Sequence, residues 1–393
     1  MSQPASTQIR RALVAVLIAR TAANAGLRIV YPFLPAISRG LGVSIATLSV
    51  LIAARNFGGI TAPLAARTAE TIGRRSMMTW AMGTVAVGTA LTAIAPGFAV
   101  AGIGIVLVGL AKPAFDVPMQ GWFGDRVPYE RRGRILGITE LTWSLALLVT
   151  VPVSGFLIAA TSWRAPFVLI SVMAVAGAIA IFVGIDDDRP PHRTKKPLKM
   201  TAPRVTILAL TFLFSVAAEI VFIVYGQWLE DSFGLSVAAI GLFTIVVVVA
   251  EMIGEGLVTW FGDRVGPHRM ILLGLLVSIV AYGALGIVGG SIALAIVVVV
   301  AWLLSFEVTI VATIPLVSEL ATESRDRLLS LLAVLFCLGR VVGALIAQPI
   351  YSAGGIAASG WAAAGCCALA TLLLLRVPPP EYRAHDAHAA LLE

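Results

Sequence analysis

A chain of 393 residues with 59% hydrophobic and 12% charged residues, and a mean hydropathy of +0.96, departs far from a soluble domain, in which roughly a quarter of residues are charged. This excludes an ordinary soluble enzyme and makes the bilayer the solvent, since apolar runs of about 20 residues recur from end to end. The net charge of +7 and sequence pI near 9.7 do not point to nucleic acid, because the basic residues sit in short loops between apolar runs and read as topology signals.

In chain order the runs predict twelve spans, at 12–37, 44–67, 76–95, 98–120, 135–160, 165–184, 205–229, 237–260, 270–288, 291–317, 328–352 and 355–376. Arg10 and Arg11 precede a first run too long for a signal-peptide core, so it is expected to remain as an anchor. With the N-terminus inside, 21 of the 28 Lys and Arg residues fall on the cytoplasmic side and only Arg39 and Arg164 outside, which predicts a multi-pass protein of the cell (inner) membrane with both termini cytoplasmic. The polar stretch from Asp186 to Arg204 carries an acidic triplet, Pro190-Pro191, Lys195, Lys196 and Lys199. It reads as a linker, so the expected units are a six-helix bundle at 1–184, a cytoplasmic linker at 185–204, a second bundle at 205–376 and a tail at 377–393.

An internal repeat is visible in the loops. Glu70 and Gly73 after span 2 are matched 193 positions later by Asp263 and Gly266 after span 8, and the basic pair Arg74-Arg75 is answered one position further along by His268-Arg269, with Arg264 inside the second copy. Arg132-Gly133-Arg134 and Arg325-Asp326-Arg327 repeat at the same offset, and Leu41-Gly42-Val43-Ser44 resembles Phe233-Gly234-Leu235-Ser236 at offset 192. Three loops in step predict two six-helix pseudo-repeats related by an axis along the membrane normal, a layout of secondary transporters.

On these residues the chain resembles the major facilitator superfamily over nearly its whole length. The family's loop signature Gly-X-X-X-Asp-Arg-X-Gly-Arg-Arg is degenerate here: Ala66 and Glu70 replace its Gly and Asp in the first copy, and Thr259 and Pro267-His268 depart from it in the second. Gly124-Asp125-Arg126 through Arg132-Gly133-Arg134, and Trp163-Arg164-Ala165-Pro166-Phe167, are also similar to the family. The resemblance implies an all-α major facilitator fold, with spans 1, 4, 7 and 10 around a central cavity, spans 2, 5, 8 and 11 along the faces between the halves, and the remainder outermost. It implies a working monomer that takes a small-molecule substrate. The antiporter subgroup's Arg in span 4 is missing, and span 5 offers only Val151-Pro152-Val153-Ser154-Gly155 for its Gly-Pro motif.

Eleven ionisable residues fall inside the spans, and each needs a partner, an aqueous cavity or a function. They are Arg20, Arg28, Arg55, Lys112, Asp116, Glu140, Glu219, Glu251, Glu255, Glu307 and Arg340; spans 3, 6, 9 and 12 hold none. Arg20, Asn24 and Arg28 share one helical stripe, and with Arg55 they either hold an anionic group or pair with Asp116, Glu140 or helix-end carbonyls. Lys112 and Asp116 suit an intrahelical ion pair, with a substrate or gating role left open, and Lys112, Glu140 and Arg340 join the Arg stripe as candidates for substrate binding. In the second half Glu219, Glu251, Glu255 and Glu307 face Arg340 alone, so at least one is expected to exchange a proton near neutral pH. Glu219 is the first candidate and Glu307 the second, with Glu251, Glu255 and Asp116 after them. Tyr31, Trp143, Tyr225 and Trp302 are candidates to stack on a ligand, and Trp80, Trp163, Trp228, Trp260 and Trp361 to anchor the protein at the interfaces.

No nucleophile elbow, phosphate loop or metal-ligand spacing is present in the sequence, and the three cysteines and four histidines make no site. An enzyme, a metal and a cofactor are therefore not expected. Proton-coupled export of an amphiphilic organic solute by alternating access is the leading expectation, followed by proton-coupled uptake or exchange of an organic anion. A channel or signalling protein is the alternative from another class.

Overall fold

The computed structural model describes residues 3–186, 188–189, 199–320 and 325–377. Most of the expected linker, including Asp187 and residues 190–198, and the tail from 378 onward lie outside them. All regular structure among the described residues is helical. Ten helices are long and apolar enough to cross a membrane, and breaks in the chain account for two more spans.

Span 1 is split into Gln3–Arg28 and Leu34–Leu41 by a turn over 29–33. Pro32 has no N–H to donate within a helix, while Pro35 sits in the first turn of the new helix, where no intrahelical partner exists to be lost. Spans 11 and 12 run together as Arg325–Leu374, with Gly354 and Gly355 outside helical geometry between them. The remaining spans are Arg74–Ile94, Phe98–Arg126, Ala165–Gly184, Ala202–Phe233, Val237–Val265, Pro267–Ala284 and Ile292–Leu320, together with two irregular ones. Span 2 contains a tightened turn, Phe57–Thr61, between Ile45–Asn56 and Ala62–Ile72; span 5 contains a widened turn, Ala146–Thr150, between Tyr129–Leu145 and Val151–Ala160. Pro63 and Pro152 lie two residues past the ends of these turns, and each removes a helical hydrogen bond there.

The internal repeat is present in the backbone. Gly42 (φ 66°, ψ 32°) and Gly234 (φ 61°, ψ 26°) end spans 1 and 7 in the same left-handed conformation. Two residues later Ser44 and Ser236 each cap the next helix by accepting a backbone N–H, from Thr47 and Ala239. Gly73 (φ 90°, ψ 152°) and Gly266 (φ 83°, ψ 147°) match again, at the offset read from the loops. Backbone at φ near +90° favours glycine, so these two positions keep it while the charges around them have diverged.

Packing differs between the two ends. One apolar core, including Ala15, Met82, Phe115, Trp122 and Ile181, belongs to the first half at the end bearing the basic loops. The other core runs the length of the second half, from Ile207, Met270 and Leu328 at the basic-loop end, and crosses into the first half at the opposite end, joining Phe33, Leu48 and Val151 to Val224, Trp228 and Ile240. Backbones meet there: a Cβ on Gly226 of span 7 would lie 2.5 Å from the Pro32 carbonyl oxygen, and between spans 5 and 8 a Cβ on Gly155 would lie 3.0 Å from the Val237 carbonyl oxygen. Arg39 and Glu230 form an ion pair of 2.6 Å at the rim. The halves are thus closed at the Arg39 end. Span 6 turns Val172, Ile179 and Phe182 outward, as a lipid-facing helix does. Trp80, Trp260 and Trp361 are exposed, whereas Trp163 and Trp228 are buried and are not interfacial anchors; Trp163 packs where Gly40 leaves room for it.

Candidate transport cavity

Charged side chains within an apolar helix leave lipid only if the helix turns them toward one another or toward water. Here they converge. A cavity of about 320 Å³ lies between the halves and is lined by Arg20, Arg28, Lys112, Asp116, Glu140, Glu219, Glu251, Glu255, Glu307 and Arg340, ten of the eleven intramembrane ionisable residues. Trp143, Ser215, Ala218, Phe222, Phe306, Ile310 and Phe336 complete the wall. The lining runs from the middle of the spans toward the basic-loop end, away from the closure at Arg39.

In the first half the charges pair locally. The Arg20 Nε donates to Asp116 at 3.1 Å, its Nη2 lies 2.9 Å from Glu140, and its Nη1 donates to the Thr139 carbonyl at 2.6 Å. Lys112 donates to the same Asp116 one turn away. Asn24 turns aside from this group and donates to the Thr142 hydroxyl.

Two further groups cross between the halves. Arg28 of span 1 places Nη2 at 2.7 and 2.8 Å from the two carboxylate oxygens of Glu251 of span 8, with its guanidinium 4.3 Å from the centre of the Trp143 ring. Both partners are buried. The second group centres on the Tyr31 hydroxyl, which donates to Glu219 at 2.9 Å and accepts from Arg55 at 2.8 Å and from Arg340. Glu219 also accepts from Asn56 at 3.0 Å and from the Arg340 Nε at 2.8 Å. Spans 1, 2, 7 and 11 are tied by these bonds at the level where the cavity stops.

Glu255 and Glu307 differ from the other carboxylates of the lining: among the described residues neither side chain has a hydrogen bond or an ion pair. Glu307 is 7% exposed, and its Cβ packs against span 8 at Gly254, where an added Cβ would lie 2.7 Å from it. Span 10 therefore sets this side chain beside Glu251 and Glu255.

Of the expected ligand-stacking residues, Trp143 reaches the cavity. Tyr31 is taken up by the network, Trp302 is buried with its indole N–H bonded to the Tyr282 hydroxyl at 2.6 Å, and Tyr225 and Arg55 are buried behind the lining. The lining aromatics Phe222, Phe306 and Phe336 carry no contrast within apolar helices, so sequence reading passes over them. A usable signal was their spacing: Phe222 lies three residues after Glu219, Phe306 next to Glu307, and Phe336 four before Arg340. No group of three or more His, Cys, Asp or Glu able to hold a metal occurs among the described residues.

The sequence profile of the Major Facilitator Superfamily matches residues 16–210 and again 207–391. The chain belongs to this superfamily. Among its relatives is an uncharacterized MFS-type transporter, YwfA, of Bacillus subtilis (strain 168), 25% identical over 361 residues that cover 88% of this chain and 85% of that one. Its fold is similar to that of a bacterial homologue of the human lysosomal transporter Spinster, solved in an inward-facing, unoccupied conformation (TM-score 0.72, 15% identity, 96% of both chains). It is also similar to the human organic anion transporter MFSD10 (TETRAN), with a TM-score of 0.68 and 16% identity over 93% of this chain and 99% of that one. This superfamily member is a multi-pass membrane transporter and not an enzyme.

The superfamily's loop signature is engaged within the first half. Arg74, held at the turn by Gly73, donates to Asp125 at the end of span 4 at 2.6 Å and to Asp188 at 2.9 Å, and Arg126 joins Asp188 at 2.8 Å. Arg75 lies over the Phe182 ring. Glu70 is partly buried at the end of span 2. In the second copy Arg264 is exposed beside Gly266, and the Asp263 side chain lies outside the described residues. His268, which takes the place of the second basic residue, bonds the Val377 carbonyl at 3.1 Å and so covers the end of span 12.

Proposed function

We propose that this protein is a proton-coupled secondary transporter that exports small amphiphilic organic solutes by alternating access, with the basic-loop end cytoplasmic and the structure in its inward-open state. One observation carries the reading: Glu307 is buried on the cavity wall without a counter-ion, next to Glu251, which is held by Arg28 from the other half. An unpaired carboxylate beside Glu251 and Glu255 is strained by like charge in a site of low dielectric. Taking up a proton or a cationic group relieves it. The charged groups on the helices packed around it are Glu251 and Glu255 on span 8, Glu219 on span 7 and Arg340 on span 11, with Arg28 reaching across from span 1; the two cations are already paired. Opening the Arg39 end must part Arg28 from Glu251 and Tyr31 from Glu219, so the state of these carboxylates and the tilt of the halves are linked.

The test is counterflow and gradient-driven accumulation of labelled amphiphilic solutes in proteoliposomes. Wild-type protein accumulates solute against its gradient when a pH difference is imposed. Glu307→Gln is expected to retain downhill exchange and to lose accumulation; accumulation at the wild-type level would remove Glu307 from the mechanism. The alternation itself is read from spin labels at Ala46→Cys and Ser232→Cys, both exposed near the closed end, in a background lacking Cys337, Cys366 and Cys367. A distance that does not change between pH 5 and pH 8, with or without solute, would refute the pH-driven switch.

Exchange of an organic anion is the second reading. The four cations of the lining favour it, as does the name of the human fold neighbour; the pairing of every one of those cations opposes it.

A further inference from the structure

We infer that the solute this cavity selects is a cation, an amphiphilic amine or onium ion, seated between Glu307, Glu255 and the aromatic wall of Phe222, Phe306 and Phe336. This names the substrate class for the site proposed above and rests on that reading of the cavity as the transport route.

The argument is one of charges left over after pairing. Ten ionisable residues line the cavity, four cations and six carboxylates. Each cation has a carboxylate of the protein in ion-pair contact: Arg20 holds Asp116 and Glu140, Lys112 holds Asp116, Arg28 holds Glu251, and Arg340 holds Glu219. An arriving anion would have to displace one of these partners and leave a buried carboxylate behind without compensation. The Arg28 Nε has no partner, but it is shut off from the cavity by its own surroundings. Arg55, the one intramembrane cation without a carboxylate, is buried behind Tyr31 and does not reach the lining.

The carboxylates come out differently. Glu255 and Glu307 remain unpartnered, and Glu307 is more than nine-tenths buried while forming part of the wall. A monocation entering here meets two carboxyl groups with no ion-pair partner among the described residues and breaks no pair. The neighbouring surface suits the rest of such a molecule. Phe306 stacks on Phe214 with ring centroids 5.1 Å apart and meets Phe222 edge-on at 5.7 Å, giving a fixed apolar face whose π-electrons also attract positive charge. Phe336, beneath Arg340, closes the far side. The acidic pair and the aromatic face all come from the second half, so the cation is held by one half while the other moves.

Two probes of almost the same size and shape but opposite charge test this: tetraphenylphosphonium and tetraphenylborate, bound to the purified full chain in nanodiscs, with empty nanodiscs subtracted. The expected result is saturable binding of the phosphonium, at least about tenfold tighter than the borate, and weakened by at least about tenfold in Glu307→Gln. Glu255→Gln, at a more exposed position, should weaken it less. Lowering the pH should release the phosphonium from wild-type protein, release it less steeply from Glu307→Gln, which keeps Glu255, and leave any residual binding of the double variant unchanged. Equal or preferred binding of the borate, no saturable phosphonium binding, or unaltered binding in the Glu255→Gln, Glu307→Gln double variant would each overturn the assignment. Such an outcome leaves the transport reading to be judged separately, since the label-distance and accumulation experiments do not depend on the sign of the solute.

Discussion

The first half satisfies its intramembrane charges on its own side. Arg20 and Lys112 share Asp116, and Glu140 closes the group from span 5. The second half does not: Glu251 takes its partner from span 1, Glu219 shares Tyr31 and Asn56 of the first half with its own Arg340, and Glu255 and Glu307 have none. Two bundles with one ancestral layout have thus divided the work. A charge group closed within one bundle can ride through a rocking motion unchanged, whereas carboxylates paired across the gap must change partner each time the gap opens. On the function proposed above, the difference puts the switching chemistry in the second half.

The comparison can be broken most forcefully at the crossing pair. Arg28→Ala leaves Glu251 buried and alone, which costs about 3–5 kcal/mol; the unfolding midpoint of the detergent-solubilised protein should fall accordingly. Joint replacement, Arg28→Met with Glu251→Leu, should recover most of the loss, because no uncompensated charge remains. Glu219→Gln comes next, at roughly 3 kcal/mol, since Arg340 loses its only carboxylate. Glu307→Gln should go the other way: no pair is lost and like charge is reduced, so the midpoint stays or rises while gradient-driven transport disappears. If Glu307→Gln destabilised as much as Glu219→Gln, the distinction between partnered and unpartnered carboxylates would fail. Glu140→Gln, whose side chain is 52% exposed in its pair with Arg20, should cost about 1 kcal/mol or less. Arg39→Ala at the rim should have the smallest effect, below about 1 kcal/mol and vanishing in high salt, and it should be read as a small widening of the Ala46–Ser232 label distance.

Much of this was legible in the sequence, for reasons that have to do with lipid. Hydrocarbon forbids unsatisfied backbone and lone charges, so the spans show as apolar runs and the cavity shows as the exceptions to them. The repeat at Gly73 and Gly266 was readable because a positive φ constrains residue type. The Lys112–Asp116 pair was readable because both residues sit on one helix face. What could not be read was anything that depends on how one helix is rotated against another. The stripe of Arg20, Asn24 and Arg28 is real, yet its members point to three different partners, on span 4 and span 5, on span 5, and on span 8. Tyr31 and Trp302 were expected to meet a ligand and instead meet protein, because periodicity says which residues share a face and not what that face meets. The apolar wall was invisible for the opposite reason: Phe306 and Phe336 in a run of apolar residues carry no signal of their own.

The Tyr31 hydroxyl has a further consequence. A phenol has one hydrogen to give and two lone pairs to fill, and here Glu219, Arg55 and Arg340 occupy all three. No water molecule can take a place in line at that oxygen. A file of waters leading out of the cavity therefore cannot run through that oxygen while its three partners hold it, and on the function proposed above this is one point at which the structure resists a leak of protons past span 1.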